Sequence, residues 1–246
     1  ELLHLLLAAQ MLATYSSTAY QSDLESATDQ LMRRLPDTTR LAMERQLREN
    51  LLVRPGPLLN LDPDVLQSLE RACKERHRVR MRYATPGKEE SERTLDPYVL
   101  HFTGTNPYVT GFCHERQALR SFRVDRVRHL QMLQEQFQVP EDFDPDDYFA
   151  DTFQHEVGGK PSAIAIRFDA ASAPYIRERC WHPSQQLEEQ ADGSLVLRLT
   201  TKGLTEIKRW VLFYGAGAQV LEPPALVEMV KVELAGMLSL YPGVAP

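Results

Sequence analysis

Apolar residues recur with two different periods along this chain, and the change of period marks its organisation. Residues 1–52 follow the helical period. Glu1–Tyr15 is apolar almost all round, with Leu2, Leu3, Leu5, Leu6, Leu7, Met11 and Leu12, the mark of a helix that is buried or meets a partner. Leu24, Ala27, Leu31 and Leu35 form the stripe of a second helix, capped by Ser22 or Asp23 and broken at Pro36-Asp37. Leu41, Met43, Leu47 and Leu51 carry a third. After the rigid Arg54-Pro-Gly-Pro57, Asp62-Pro63 opens a fourth helix with proline at its first position, and Val65, Leu66, Leu69, Ala72 and Cys73 line its apolar face.

The period then drops to two. Arg78–Tyr83 alternates strictly, with Val79, Met81 and Tyr83 on one face and Arg78, Arg80 and Arg82 on the other. Thr94–Leu100, Pro107–Cys113, Ala118–Asp125 and Val127–Leu133 read as further short strands, a spacing that suggests a small barrel. Residues 135–159 read as an acidic linker: Gln134–Glu156 holds eight acids and no Lys or Arg, but is studded with Phe137, Phe143, Tyr148, Phe149 and Phe153. Those aromatics argue that it also docks onto a neighbour. From residue 160 a second domain runs strand, helix, hairpin, helix, strand, with a last helix opened by Pro223-Pro224; β-α-β-β-α-β is the ferredoxin-like order. The expectation is an α+β protein: a helical connector at 1–60, a barrel at 61–134, the linker, and a ferredoxin-like domain at 160–246.

Composition narrows the function. The longest apolar run, Leu5–Ala9, is far short of the ~18 residues a membrane span needs. Three distant cysteines, Cys73, Cys113 and Cys180, argue against a disulfide scaffold or a cysteine zinc site and suit a cytoplasmic setting. Without an initiator Met, the chain reads as part of a longer one. The net charge of −6 hides an asymmetry. Residues 71–130 hold 13 Lys/Arg against seven acids, and the remainder holds 15 against 27. Charge segregated in this way speaks of partners rather than of fold.

Catalytic signatures do not emerge. Gly158-Gly-Lys-Pro-Ser162 lacks phosphate-loop spacing, Gly215-Ala-Gly217 joins helix to strand and suits a helix C-cap, and the seven histidines never pair at metal-ligand spacing on one helix. No cofactor or enzyme activity is expected. What remains is a basic strand set with interleaved aromatics. Arg80, Arg82, Arg120, Arg123 and Arg126 offer guanidinium forks for phosphate, and Tyr83 and Tyr108 offer faces for stacking bases. Phe122 is expected in the core beside Phe112, and Arg123 could simply pair with Asp125.

These residues resemble a known family. Arg120-Ser-Phe-Arg-Val-Asp-Arg-Val127 is similar to the Arg-x-Phe-Arg-x-Asp-Arg-Ile stretch of WYL-domain transcription regulators. Val79–Tyr83, Arg93-Thr-Leu-Asp-Pro97 and Tyr108-Val-Thr-Gly-Phe-Cys113 stand in that family's order. Phe143-Asp-Pro-Asp-Asp-Tyr148 resembles its exit linker, and Trp210–Pro223 with the following helix resembles its accessory WCX domain. The naming tripeptide falls at Pro107-Tyr108-Val109, keeping only the Tyr. The resemblance implies a bacterial cytoplasmic regulator with an Sm-like barrel that senses single-stranded DNA, and an accessory domain that helps form a homodimer. Duplex DNA would be read only by an N-terminal winged helix-turn-helix outside this sequence. A sensor of a small phosphorylated nucleotide and a pure dimerisation module are the alternatives.

Overall fold

Asp62 and Pro63 do what their order suggests. In the computed structural model, which describes Ala8 and residues 19–50, 60–104, 106–153, 156 and 160–241, the Asp62 carboxylate accepts the Asp64 N–H at 2.9 Å and Pro63 opens a helix. The described elements are α1 (Ala19–Arg33), α2 (Asp37–Asn50), α3 (Pro63–Glu75), β1 (His77–Tyr83), β2 (Ser91–Thr103), β3 (Asn106–Cys113), β4 (Ala118–Arg123), a 3-10 turn (Val124–Arg126), β5 (Val127–Gln136), α4 (Pro145–Phe149), β6 (Ser162–Phe168), α5 (Ala173–Arg177), β7 (Gln186–Glu189), β8 (Leu195–Thr201), α6 (Leu204–Phe213), a 3-10 turn (Gly215–Gly217), β9 (Ala218–Glu222) and α7 (Pro224–Ser239). The helix expected over Glu1–Tyr15 lies outside the described residues, apart from Ala8. α1 begins at Ala19, upstream of the Ser22 or Asp23 cap expected.

The chain divides into two units, Glu1–Glu141 and Asp142–Pro246. The first holds a five-stranded antiparallel sheet in the order β4-β3-β2-β1-β5. α3 buries Val65, Leu66, Leu69 and Ala72 in a core with Val79, Met81, Tyr83, Leu95, Val109, Cys113, Phe122, Val124 and Val127. Leu66 and Leu69 are wholly buried, each contributing about 2 kcal/mol of apolar burial.

The edge strands β4 and β5 are joined by the Val124–Arg126 turn alone. In a flat sheet those edges would lie about 19 Å apart, at ~4.8 Å per strand, whereas three 3-10 residues rise only about 6 Å. The sheet therefore curls. Two bonds mark where it comes round: the Arg123 N–H donates to the Tyr83 hydroxyl at 3.1 Å, and the Ala84 N–H to the Arg126 carbonyl at 3.0 Å. The fourth strand, expected to run on to Asp125, stops at Arg123 to make this turn.

The second unit holds a four-stranded antiparallel sheet in the order β7-β8-β6-β9. Ile164, Ile166, Phe168, Leu195, Leu197 and Leu199 face Ile176, Ile207, Val211 and Leu226. Gly215, at φ +54, ends α6 as the expected C-cap glycine. The acidic segment is docked at both ends. Phe137 is buried and stacked on Tyr98, ring centroids 5.7 Å apart, within the first unit. Phe153 is buried 5.1 Å from Trp210, and the Glu156 carboxylate accepts the Glu206 N–H in the first turn of α6, within the second. Between them Asp144-Pro145 repeats the cap of α3 and opens α4.

His182 is 4% exposed in the second unit. Burial holds its imidazole below the ordinary 6.5, against the Asp151 charge and the Ala150 backbone. The unfolded chain accepts a proton there more readily than the folded one, so stability present at neutral pH is lost as pH falls through 6.5 and below. His182→Gln is expected to shrink the drop in melting temperature between neutral and mildly acidic buffer. Equal drops in both proteins would refute this.

Candidate ligand-binding face

Alternation on β1 sends Val79, Met81 and Tyr83 into the core and Arg78, Arg80 and Arg82 to the opposite face of the sheet. The register extends that face strand by strand. Arg80 stands between Thr94 of β2 and Gln131 of β5, and Arg82 between Glu92 and His129. Farther across, Asp96 lies opposite Phe112, His101 opposite Tyr108, and Tyr108 opposite Arg123. Arg80, Arg82, Tyr108 and Arg123 thus share one face, but β2 and β3 separate the β1 arginines from β4.

Bond lengths and burial sort the arginines into two kinds. Arg78 grips Asp96 through Nε at 2.6 Å and Nη2 at 3.2 Å, and the same carboxylate meets His114 Nε2 at 3.0 Å. Arg123 forks onto Asp125 at 2.9 and 2.8 Å. Both guanidiniums are part-buried, and hydrogen bonds to their carboxylates push their pKa values upward. These two arginines hold the fold together. Arg80 and Arg82 have side chains 51% and 61% exposed and reach Glu92 and Glu90 at only 3.5 and 3.8 Å. Arg128 of β5 meets Glu90 at 3.9 Å. Exposed pairs of this kind are worth ~0–1 kcal/mol, so little stability is lost when they break. Arg80, Met81, Arg82, Glu92, His129 and Gln131 line a depression of about 430 Å³.

Several expected contacts change. Tyr83 is a core residue, 7% exposed, edge-on to Phe122 at 5.0 Å. It offers no face to a base, because it shares the parity of Val79 and Met81. Tyr108 is 4% exposed, its ring stacked on His101 at 5.4 Å rather than open. Arg123 is committed to Asp125, as its spacing allowed. Arg120 has the parity of Phe122 and lies opposite Gly111 on the edge strand, exposed, its guanidinium donating to the Leu119 carbonyl at 3.0 Å. Arg126 sits in the Val124–Arg126 3-10 turn, half-buried. Phe122 is in the core as expected, but Phe112 is not its neighbour. Phe112 lies opposite Leu119 on the other face and packs edge-on to His114 at 5.3 Å.

Sequence reasoning missed Asp96, His114, His129, Gln131, Glu90 and Glu92, and a buried polar chain in which Thr110 Oγ1 bonds both His101 Nε2 at 3.1 Å and Ser121 Oγ at 2.6 Å. Only strand pairing brings these together. Glu90 and Glu92 alone carried a local signal, being acids beside an arginine-bearing hairpin. No group of His, Cys, Asp and Glu among the described residues could hold a metal ion. None of the described helices is long and apolar enough to cross a membrane.

Residues 64–132 match the WYL domain and residues 160–238 the WCX domain. Protein PafC of Mycobacterium tuberculosis is 24% identical over 164 residues, covering 67% of this chain and 50% of PafC. The DNA-binding transcriptional repressor CapW of Stenotrophomonas maltophilia is 32% identical over 77 residues, covering 31% of this chain and 26% of CapW. The solved structure of proteasome accessory factor B/C (PafBC) of Arthrobacter aurescens superposes with a TM-score of 0.35 at 20% identity, covering 75% of this chain and 29% of that one. The chain spans about half the length or less of these relatives.

Proposed function

We propose that this chain, a member of the WYL-domain proteins that also carries their WCX domain, is the ligand-sensing and dimerising region of a cytoplasmic transcription regulator whose effector is single-stranded DNA. The observation that carries this reading is the contrast between the arginines. Arg78 and Arg123 are bound tightly within the fold, while Arg80, Arg82 and Arg128 present loosely held guanidiniums on one open face. Arg120 and Arg126 add positive charge on and beside β4. In this reading the first sheet is an Sm-like barrel, supported by a helix followed by five strands whose outer two join through one turn. The second unit is ferredoxin-like, supported by its β7-β8-β6-β9 order. CapW, by its name a DNA-binding repressor, supports the link to transcription.

Guanidinium contacts to phosphate position a strand without reading it, so sequence preference is expected to be small. Fluorescence anisotropy with oligo(dT) should show affinity falling as salt rises, and Arg80→Ala should make the log–log slope shallower by about 0.7, one phosphate's worth for a single strand. Binding indifferent to salt, or a slope unchanged by that substitution, would defeat the assignment. A phosphorylated mononucleotide that binds as tightly as the oligomer would favour the small-nucleotide alternative.

Dimerisation is supported by α7, which buries Leu226 but leaves Val232, Leu234, Met237 and Leu238 exposed. Light scattering at micromolar protein is expected to give twice the chain mass. A monomer would refute this part of the proposal.

A further inference from the structure

We infer that the depression on β5, β1 and β2 is a self-masked site for two neighbouring phosphodiester groups, and that Glu90 and Glu92 occupy the phosphate positions until ligand arrives. This rests on the reading of the chain as a sensor of a phosphate-bearing ligand and says where and how that ligand is held.

Arg80 and Arg82 are two residues apart on one face of β1, so their Cα atoms stand about 6.6 Å apart along the strand. That spacing offers one guanidinium to each of two successive phosphates. Glu92 holds Arg80 at 3.5 Å, while Glu90 is shared between Arg82 at 3.8 Å and Arg128 at 3.9 Å. Three cations thus face two carboxylates, all 48–65% exposed. Each carboxylate contact is 3.5 Å or longer, at or beyond ordinary hydrogen-bond length, whereas the arginines built into the fold bind at 2.6–3.2 Å. The masking acids are therefore the weak half of the arrangement. A phosphodiester, which accepts a guanidinium fork well, replaces a contact that contributes little.

The lining also says what the ligand lacks. No Phe, Tyr or Trp lines the depression; its walls are arginine, Glu92, Met81, His129 and Gln131. The small imidazole of His129 is the one ring there, so guanidinium contacts to phosphate carry the binding. His129 and Gln131, directly opposite Arg82 and Arg80 in the register, supply the remaining polar edges. Two phosphodiesters in a row occur in a stretch of single-stranded DNA and in a free short oligonucleotide, and both present the same chemistry to this face.

Calorimetric titration of the full chain with trithymidine (TpTpT), whose two linkages are successive phosphodiesters, a longer oligo(dT) and inorganic pyrophosphate tests this. In the Glu90→Gln/Glu92→Gln double variant both oligonucleotides are expected to bind about tenfold tighter, the effect of unmasking two exposed ion pairs. Arg80→Ala/Arg82→Ala should abolish tight binding while leaving the thermal melt unchanged. Oligo(dT) tighter than the trinucleotide would identify a strand as the source; equal affinity would identify a free short oligonucleotide. Pyrophosphate binding as tightly as either would overturn the assignment, because a bare anion would then suffice. Unchanged affinity in the glutamine variant, or binding lost in Arg120→Ala but kept in Arg80→Ala/Arg82→Ala, would overturn the site while leaving the sensing role standing. Absence of binding by both wild-type and glutamine-variant chains would overturn the sensing role and this site together.

Discussion

Gly111→Ala is expected to cost the first unit at least about 3 kcal/mol, a large part of the 5–15 kcal/mol that holds a typical domain together. A Cβ built on Gly111 would lie 2.0 Å from the Asp96 carbonyl oxygen and 2.9 Å from both the Asp96 carbonyl carbon and the Pro97 Cα. All three obstacles are backbone, so no rotamer change relieves them. The approach is this close because Gly111 is paired with Pro97, where β2 carries an irregularity between Pro97 and Val99. A proline brings no N–H to the ladder, and β3 closes over it only where it lacks a side chain. Urea denaturation measures the loss. Gly236→Ala makes the control: Gly236 lies inside α7 with nothing within 4 Å of a built Cβ, and alanine there should gain up to about 1 kcal/mol. A Gly111→Ala protein as stable as wild type would show that the two strands are not packed this tightly.

Asp96→Ala is the second large effect. Asp96 is 7% exposed and holds Arg78 through two bonds and His114 through one. Removing the carboxylate strands a guanidinium between β1 and β2 without a counter-charge. Breaking a fully buried pair costs about 3–5 kcal/mol. The Arg78 side chain keeps 27% exposure, so water recovers part of this and about 2–3 kcal/mol is expected. Glu92→Gln removes an equally formal ion pair from the same strand and should change stability by less than about 0.5 kcal/mol. Denaturant midpoints for the two variants therefore separate the structural arginine from the available one. Similar midpoints would mean the distinction drawn from bond lengths is false.

How much of this was legible in the sequence depends on whether the signal was local. The Arg78–Tyr83 alternation was enough to place Arg80 and Arg82 outward. It equally placed Tyr83 inward with Val79 and Met81, and assigning that ring to base stacking overrode the pattern that contradicted it. Arg123 and Asp125 are two residues apart, and their pairing was readable. So was the proline-opened helix at Pro145, which carries the same Asp-Pro signal as α3 but was absorbed into an acidic linker. Asp96, His114 and Arg78 could not have been joined from sequence, because 18 residues separate Asp96 from each partner and the β1–β2–β3 register alone brings them together. The irregularity at Pro97 also hid the face. It reverses the parity of β2 midway, so Asp96 and His101, five positions apart, project to the same side.

The Val124–Arg126 turn also sets a timetable. β1 finds one neighbour at once, since β2 follows within a few residues, but its other edge is completed by β5, whose pairing runs from Val127 to Gln136. On a ribosome roughly forty residues, carrying β2, β3 and β4, emerge first, and loop-closure entropy must be overcome before that contact is rewarded. During that interval the backbone of β1 is an open template for another chain. Arg80 and Arg82 project from that strand, and alternating charge on an edge is how proteins discourage such pairing. Neutralising both arginines is therefore expected to lower the yield of soluble protein at synthesis more than it lowers the stability of the molecules that do fold.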